Sequence, residues 1–248
     1  MDEGLNYPTA LSKALKTITG KTIDTPNDLL GLSYIREIIK NNYNITPISI
    51  KRNSDYNSKI IEGKITSATS IRELLKKKKN IKKYVPKYSY KYLKEVLFIE
   101  DYFKFLKYKI ISTNDLTIYQ GIDEELSNRI YKYIDESNTL DKFIQNIKTK
   151  RYTYNRIKRS LTYILLSITK EDCNNLDLKY IRVLGFNNNG KEHLNKIKKD
   201  IDIPILTNYD NKYLEKDLTI NKIISLNKKV KNKKEFIEKE YKNKPIIK

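Results

Sequence analysis

The chain's 248 residues predict an α/β segment followed by a mainly helical, basic α+β domain, and three observations lead there. Residues up to about 76 read helix, strand, loop, helix. After Leu75 the apolar spacing turns almost wholly helical, and near the end "YIRVLGFNNNGKEHLNKIKKDIDIPILT" reads strand, turn, helix, strand. The expected domains are therefore 1–76 and 77–248.

Each element has its own warrant. Leu5, Ala10, Leu11, Ala14, Leu15 and Ile18 fall at helical spacing. In "TPNDLLGLSYIREIIKNN", Pro26 stiffens a turn and Asn27 is a good N-cap for the helix that follows. "NITPISIKR", residues 44–52, places Ile45, Ile48 and Ile50 beside Thr and Ser and predicts a buried strand. Beyond a polar loop, Ser70 and Glu73 stand at the spacing of a capping box, so a helix is expected to begin at Ser70.

The second domain opens with "SYKYLKEVLFIEDYFKFLKYKI", residues 89–110, a long amphipathic helical pattern. Shorter ones follow near 123–135 and 139–148, then "RYTYNRIKRSLTYILLSI". The closing strand–helix–strand predicts a small βαβ unit, and the charged final twenty residues a loosely held helix or tail.

Composition narrows the partners. Lys and Arg number 50 against 30 Asp and Glu, a formal charge of +20 that favours a polyanion such as nucleic acid. Cys173 is the single cysteine, which excludes an intramolecular disulfide, and with His193 as the single histidine no Cys/His zinc site can form. No apolar run approaches the roughly 18 residues that span a bilayer, so a soluble, cytoplasmic protein without a membrane partner is expected.

Two stretches could carry chemistry. "SATSIR", Ser67 to Arg72, is explained by capping alone, but a hydroxyl-rich turn at a helix N-terminus also favours phosphate. Arg72, read as a cation in the first helical turn, opposes the helix dipole by roughly 0.3–1 kcal/mol unless an anion sits beside it. Asn27 is likewise either a cap or a nucleotide contact. In "IKTKRYTYNRIKRS", Ile157, Leu161 and Ile164 form an apolar helical face, while Arg151, Lys158 and Arg159 fall elsewhere. Tyr152 and Tyr154 interleave with those cations, so phosphate contacts and base stacking are both on offer. A solvated charged face is the plainer alternative.

Taken in order, "YPTALSKAL", "PNDLLGLSYI", "ITPISIKRNSDYNS", "ITSATSIRELL", "IKTKRYTYNRIKRSLTYILL" and "YIRVLGFNNNGKEHL" resemble the bacterial tRNA(Met) cytidine acetate ligases, from Glu3 to about Asn208. The resemblance implies a Rossmann-like nucleotidyltransferase domain of the HIGH type in front and an RNA-binding domain behind. It implies acetate activation by ATP, with Mg2+, to acetyl-adenylate, and transfer of the acetyl group to N4 of the wobble cytidine of elongator tRNA(Met). Asn27 and Arg52 resemble ATP-contacting positions, and Ser67, Thr69, Ser70 and Arg72 the motif that embraces the triphosphate. Lys148, Lys150, Arg151, Lys158 and Arg159 fall on the tRNA-binding side.

The sequence departs from the pattern twice. The segment after Lys51-Arg52 is a residue short, and the strand–turn–helix that carries the HIGH histidines is not in the chain. The expectation is therefore a C-terminal part, the remnant of its nucleotidyltransferase domain, inactive alone and partnered by the missing N-terminal part. The alternative is a non-catalytic RNA-binding or accessory module.

Overall fold

The structure, a computed structural model, describes residues 7–23, 25–51, 66–93, 96–174 and 177–248. The residues group into two units, one of residues 1–96 with 149–153, the other of 97–148 with 154–248.

In the first unit, α1 (Tyr7–Thr19) is followed by α2 (Pro26–Lys40), α3 (Ala68–Lys76) and the single turn α4 (Lys87–Tyr90). Helix α2 begins two residues earlier than a cap at Asn27 predicts. Thr25 is the N-cap, its hydroxyl accepting from the Asp28 amide at 3.2 Å, and Pro26 takes N1, where its missing N–H costs nothing. Residues 43–51 form no strand; the Ile45 amide donates to the Tyr43 carbonyl at 2.8 Å, and Ile48 is 86% and Ile50 92% exposed, so the alternation of Ile with Thr and Ser brings neither a ladder nor burial here.

The predicted helix over 89–110 is broken. Its first part is α4 and a 3-10 turn, Lys91–Leu93; its second is a 3-10 turn, Ile99–Tyr102, running into α5 (Phe103–Ile111). Phe98 is extended, and its amide donates to Asp101 Oδ2 at 3.0 Å, so Asp101 caps a new start where continuous periodicity predicts none.

The second unit packs α5 with α6 (Glu124–Ile134), α7 (Leu140–Ile147) and α8 (Tyr154–Leu165). Their apolar stripes meet: Leu106, Ile110, Leu126, Ile130, Phe143, Ile144, Ile147, Ile157 and Leu161 are all at most 1% exposed. Asp123 and Thr139 cap α6 and α7. The short α9 (Lys170–Asn174) follows.

The C-terminal segment holds two short parallel strand pairs. The run through β1 (Ile181–Arg182) and β2 (Gly185–Phe186) is flanked by two parallel neighbours. Beyond α10 (Asn188–Ile197), β3 (Ile205–Leu206) pairs with β1; beyond α11 (Asn211–Ser225) and α12 (Lys233–Lys242), β4 (Ile246–Ile247) pairs with β2. A side chain at Gly185 would meet the Ile246 carbonyl oxygen at 2.9 Å, so glycine permits that approach. The final segment is thus docked: Glu240 on α12 pairs with Arg182 at 2.5 Å and accepts from Asn221 Nδ2 at 2.8 Å.

Candidate functional site

Helix α3 is the first candidate, and its geometry corrects the expected cap. Ser67, with φ −72° and ψ 154°, is the N-cap; its hydroxyl accepts from the Ser70 amide at 3.0 Å, and the two hydroxyls lie 3.1 Å apart. The cap therefore lies three residues before Ser70, and the helix begins at Ala68. The pairing is Ser-x-x-Ser, not the box from Ser70 to Glu73, because a cap needs an extended residue and Ser70 is already helical. Ser67 and Ser70 are each 1% exposed, half-buried Thr69 stands at N2, and Arg72 is exposed. Arg72 falls in the second turn, which removes the argument that it opposes the dipole from the first.

The other nucleotide candidates are Asn27 and Arg52. Asn27 is exposed at N2 of α2, and among the described residues no hydrogen bond or ion pair joins it to α3. Arg52 lies outside the described residues. Among those residues there is also no cluster of His, Cys, Asp or Glu that could hold a metal ion.

The basic stretch from 148 to 159 divides between the two units. In the helical unit, Arg129 donates from Nε to the Ile147 carbonyl at 2.9 Å and from Nη2 to that of Asn146 at 3.1 Å. This satisfies orphan carbonyls at the end of α7 and fixes where the chain leaves the helix, with exposed Lys148 next. Arg159 on α8 is exposed as well. Lys158 is not: it is half-buried and paired with Glu100 at 2.9 Å, so its charge is committed to the fold. Arg156 pairs with the N-cap Asp123 at 3.4 Å.

In the other unit, Lys150 and Arg151 are exposed, and a turn in which Thr149 Oγ1 accepts from the Tyr152 amide at 3.0 Å holds their backbone. The Arg151 guanidinium lies 5.4 Å from the centre of the Tyr152 ring. Tyr152 itself is 0% exposed, so the expected stacking surface is core here. Tyr154, in the helical unit, is also engaged: its hydroxyl donates to Asp141 Oδ1 at 2.5 Å, and burial with that carboxylate pushes its pKa up.

Of the five predicted RNA contacts, four are thus exposed and one is spent on structure. Sequence spacing could not find Glu100 or Asp141, whose partners lie 58 and 13 residues away. The cap at Ser67 was visible in principle, as a serine three residues before another.

The model of the HIGH nucleotidyl transferase family matches residues 1–243, and the chain belongs to that family. Its homologues carry the name tRNA(Met) cytidine acetate ligase. That of Thermosipho africanus is 38% identical over 227 residues, covering 84% of this chain and 54% of the relative; that of Caldicellulosiruptor saccharolyticus is 35% identical over 265 residues, covering 99% and 66%. The chain spans about half to two thirds of the curated relatives it matches.

Crystal structures of Thermotoga maritima TmcAL share the fold. The apo form superposes with TM-score 0.83 at 24% identity, over 99% of this chain and 68% of that one. A form bound with alpha-thio ATP gives 0.78 at 23%, over 99% and 67%. The fold is accordingly nucleotidyltransferase-like α/β, with helices predominating. The expectation that only a C-terminal part is present draws no support from the family match, which starts at residue 1. No helix among the described residues is long and apolar enough to cross a membrane.

Proposed function

We propose that the chain serves ATP-dependent acetylation of a tRNA cytidine, handling ATP in the first unit and RNA through its basic segments. In this reading acetate attacks the α-phosphorus of ATP, pyrophosphate leaves, and acetyl-adenylate forms. The cytosine N4 amine then attacks the acetyl carbonyl, losing a proton as AMP leaves. The tRNA is elongator tRNA(Met), and Mg2+ travels with the triphosphate as its counter-ion.

The observation that carries the reading is the start of α3. Buried Ser67 and Ser70 hold the turn, while the amides of Ala68 and Thr69, unpaired within the helix, lie at its positive end. The half-buried Thr69 hydroxyl and exposed Arg72 supply a further donor and a charge for phosphate. Asn27 and Arg52 join them as ATP contacts in this proposal. Lys148, Lys150, Arg151 and Arg159 are the proposed tRNA contacts, with Lys158 acting through Glu100 to hold α8.

Calorimetric titration of ATP into the chain and its Arg72→Ala variant tests the reading. A loss of about tenfold or more is expected for removing a charge-assisted contact. Equal affinities would remove Arg72 from the site, and failure of the parent to bind either ATP or elongator tRNA(Met) would end the proposal. Acetate, ATP and that tRNA, followed by measurement of N4-acetylcytidine, then give the chain's own turnover.

A further inference from the structure

Between Glu73 and Glu95 the sequence contains no acidic residue, but it carries lysines at 76–79, 82, 83, 87, 91 and 94 and tyrosines at 84, 88, 90 and 92. The part from Ile81 to Leu93 is built, not merely charged. Ile81 is 2% exposed and anchors it; Asn80 Oδ1 accepts from the Lys82 amide at 2.8 Å; and the Ser89 amide donates to the Pro86 carbonyl at 2.9 Å to close α4. From this turn Tyr88 and Tyr92 project with 75% of their surface exposed.

Elsewhere tyrosine is used both ways: Tyr102, Tyr119 and Tyr152 are at most 6% exposed, whereas Tyr34, Tyr43 and Tyr108 stand out singly at 63%, 56% and 73%. One bare tyrosine needs no explanation. Here two occur together, Tyr88 on α4 and Tyr92 four residues on, in the 3-10 turn Lys91–Leu93 that continues it, roughly 6–8 Å apart along the helical path. Each ring keeps most of its surface exposed to a flat partner. Lys82, Lys83, Lys87 and Lys91 are exposed around them, and Lys91 Nζ stands 4.8 Å from the centre of the Tyr92 ring.

We infer that Tyr88 and Tyr92 form a stacking platform for a single-stranded segment of RNA, with Lys82, Lys83, Lys87 and Lys91 contacting its phosphates. Charge complementarity selects a polyanion, and paired open rings select one with exposed base faces, which duplex RNA does not offer. The inference rests on the RNA reading above but concerns a surface distinct from residues 148–159.

The sequence contains no tryptophan, so Tyr88→Trp places a single reporter on the platform. Its fluorescence should be quenched saturably by an unstructured ten-nucleotide oligouridylate and not by duplex RNA of equal length. The double variant Tyr88→Ala/Tyr92→Ala should bind that oligonucleotide about tenfold or more weakly, with its salt dependence unchanged because no cation is lost. Tyr88→Phe/Tyr92→Phe should retain parental affinity. Parental affinity in the alanine variant, equal weakness in the phenylalanine variant, or stronger quenching by anionic phospholipid vesicles than by oligonucleotide would each overturn the platform. Elongator tRNA(Met) binding by the parent is read separately: if it is absent while tyrosine-dependent oligonucleotide binding persists, the tRNA reading falls and the platform stands.

Discussion

In the helical unit Ile110, Ile130, Phe143, Ile144 and Ile147 are 0% exposed, whereas in the first unit Ile18, Ile39, Ile48 and Ile50 are 80%, 69%, 86% and 92% exposed. Both sets occupy positions that spacing marks as core. Periodicity reports the conformation a segment prefers; burial further requires a partner stripe, which α5 to α8 give one another. Among the described residues of the first unit the covered positions are Leu29, Ile81 and Tyr152, with the polar Ser67 and Ser70. Among the described residues, the helical unit thus buries matched apolar stripes that the first unit does not show.

The largest test of this contrast is Ile144→Ala. Truncating a fully covered isoleucine should destabilise the helical unit by about 2–5 kcal/mol, read from urea unfolding followed by circular dichroism. A cost under about 1 kcal/mol would mean that the interior repacks readily and that the units differ less than their burial indicates.

A smaller effect sharpens the account of α3. Ser67→Ala removes a buried N-cap and should cost about 1 kcal/mol, whereas Glu73→Ala should stay within about 0.5 kcal/mol. The reverse order would restore the capping box that spacing predicts from Ser70 to Glu73.

Smaller again is a pH effect in the helical unit. The Lys216 ammonium hydrogen-bonds Asp172 and lowers its carboxyl from the ordinary 3.8 to about 2, assisted by the Thr169 amide. Because the folded pKa lies below the unfolded one, the contribution is complete above about pH 4 and is lost as pH falls toward 2. Both side chains are partly solvated, so it amounts to less than about 1 kcal/mol. Asp172→Asn should lose less stability than the parent between pH 5 and pH 2, measured by urea midpoints; identical losses would detach the pair from the fold.

What could be seen in the sequence follows the same division. Helices over 123–135 and 139–148 and the strand–helix–strand near the end were legible because the patterns are local and their partners equally periodic. The break at Phe98 was not, since one Asp101 side chain outweighs an unbroken apolar rhythm. At the sites, Arg72 and the exposed cations could be named from motif and charge. Sequence could not separate Lys158 from Arg159, because that distinction depends on Glu100 being 58 residues away. Tyr152 and Tyr88 look alike in sequence, each beside a lysine or arginine, but one is wholly covered and the other bare.

The smallest expected effect is the most direct probe of the first unit. Ile48→Ser changes a residue that is 86% exposed in a segment without regular secondary structure, so it should alter unfolding stability by no more than about 0.5 kcal/mol. The same change at Ile144 would place a hydroxyl in a closed apolar interior and exceed the alanine cost. If Ile48→Ser instead costs more than about 1 kcal/mol, water does not reach that side chain in solution, and another surface must cover it. Repeating the measurement over a tenfold range of protein concentration identifies that surface: a cost that grows with concentration assigns the cover to a second copy of the chain, and a constant cost assigns it to the same molecule.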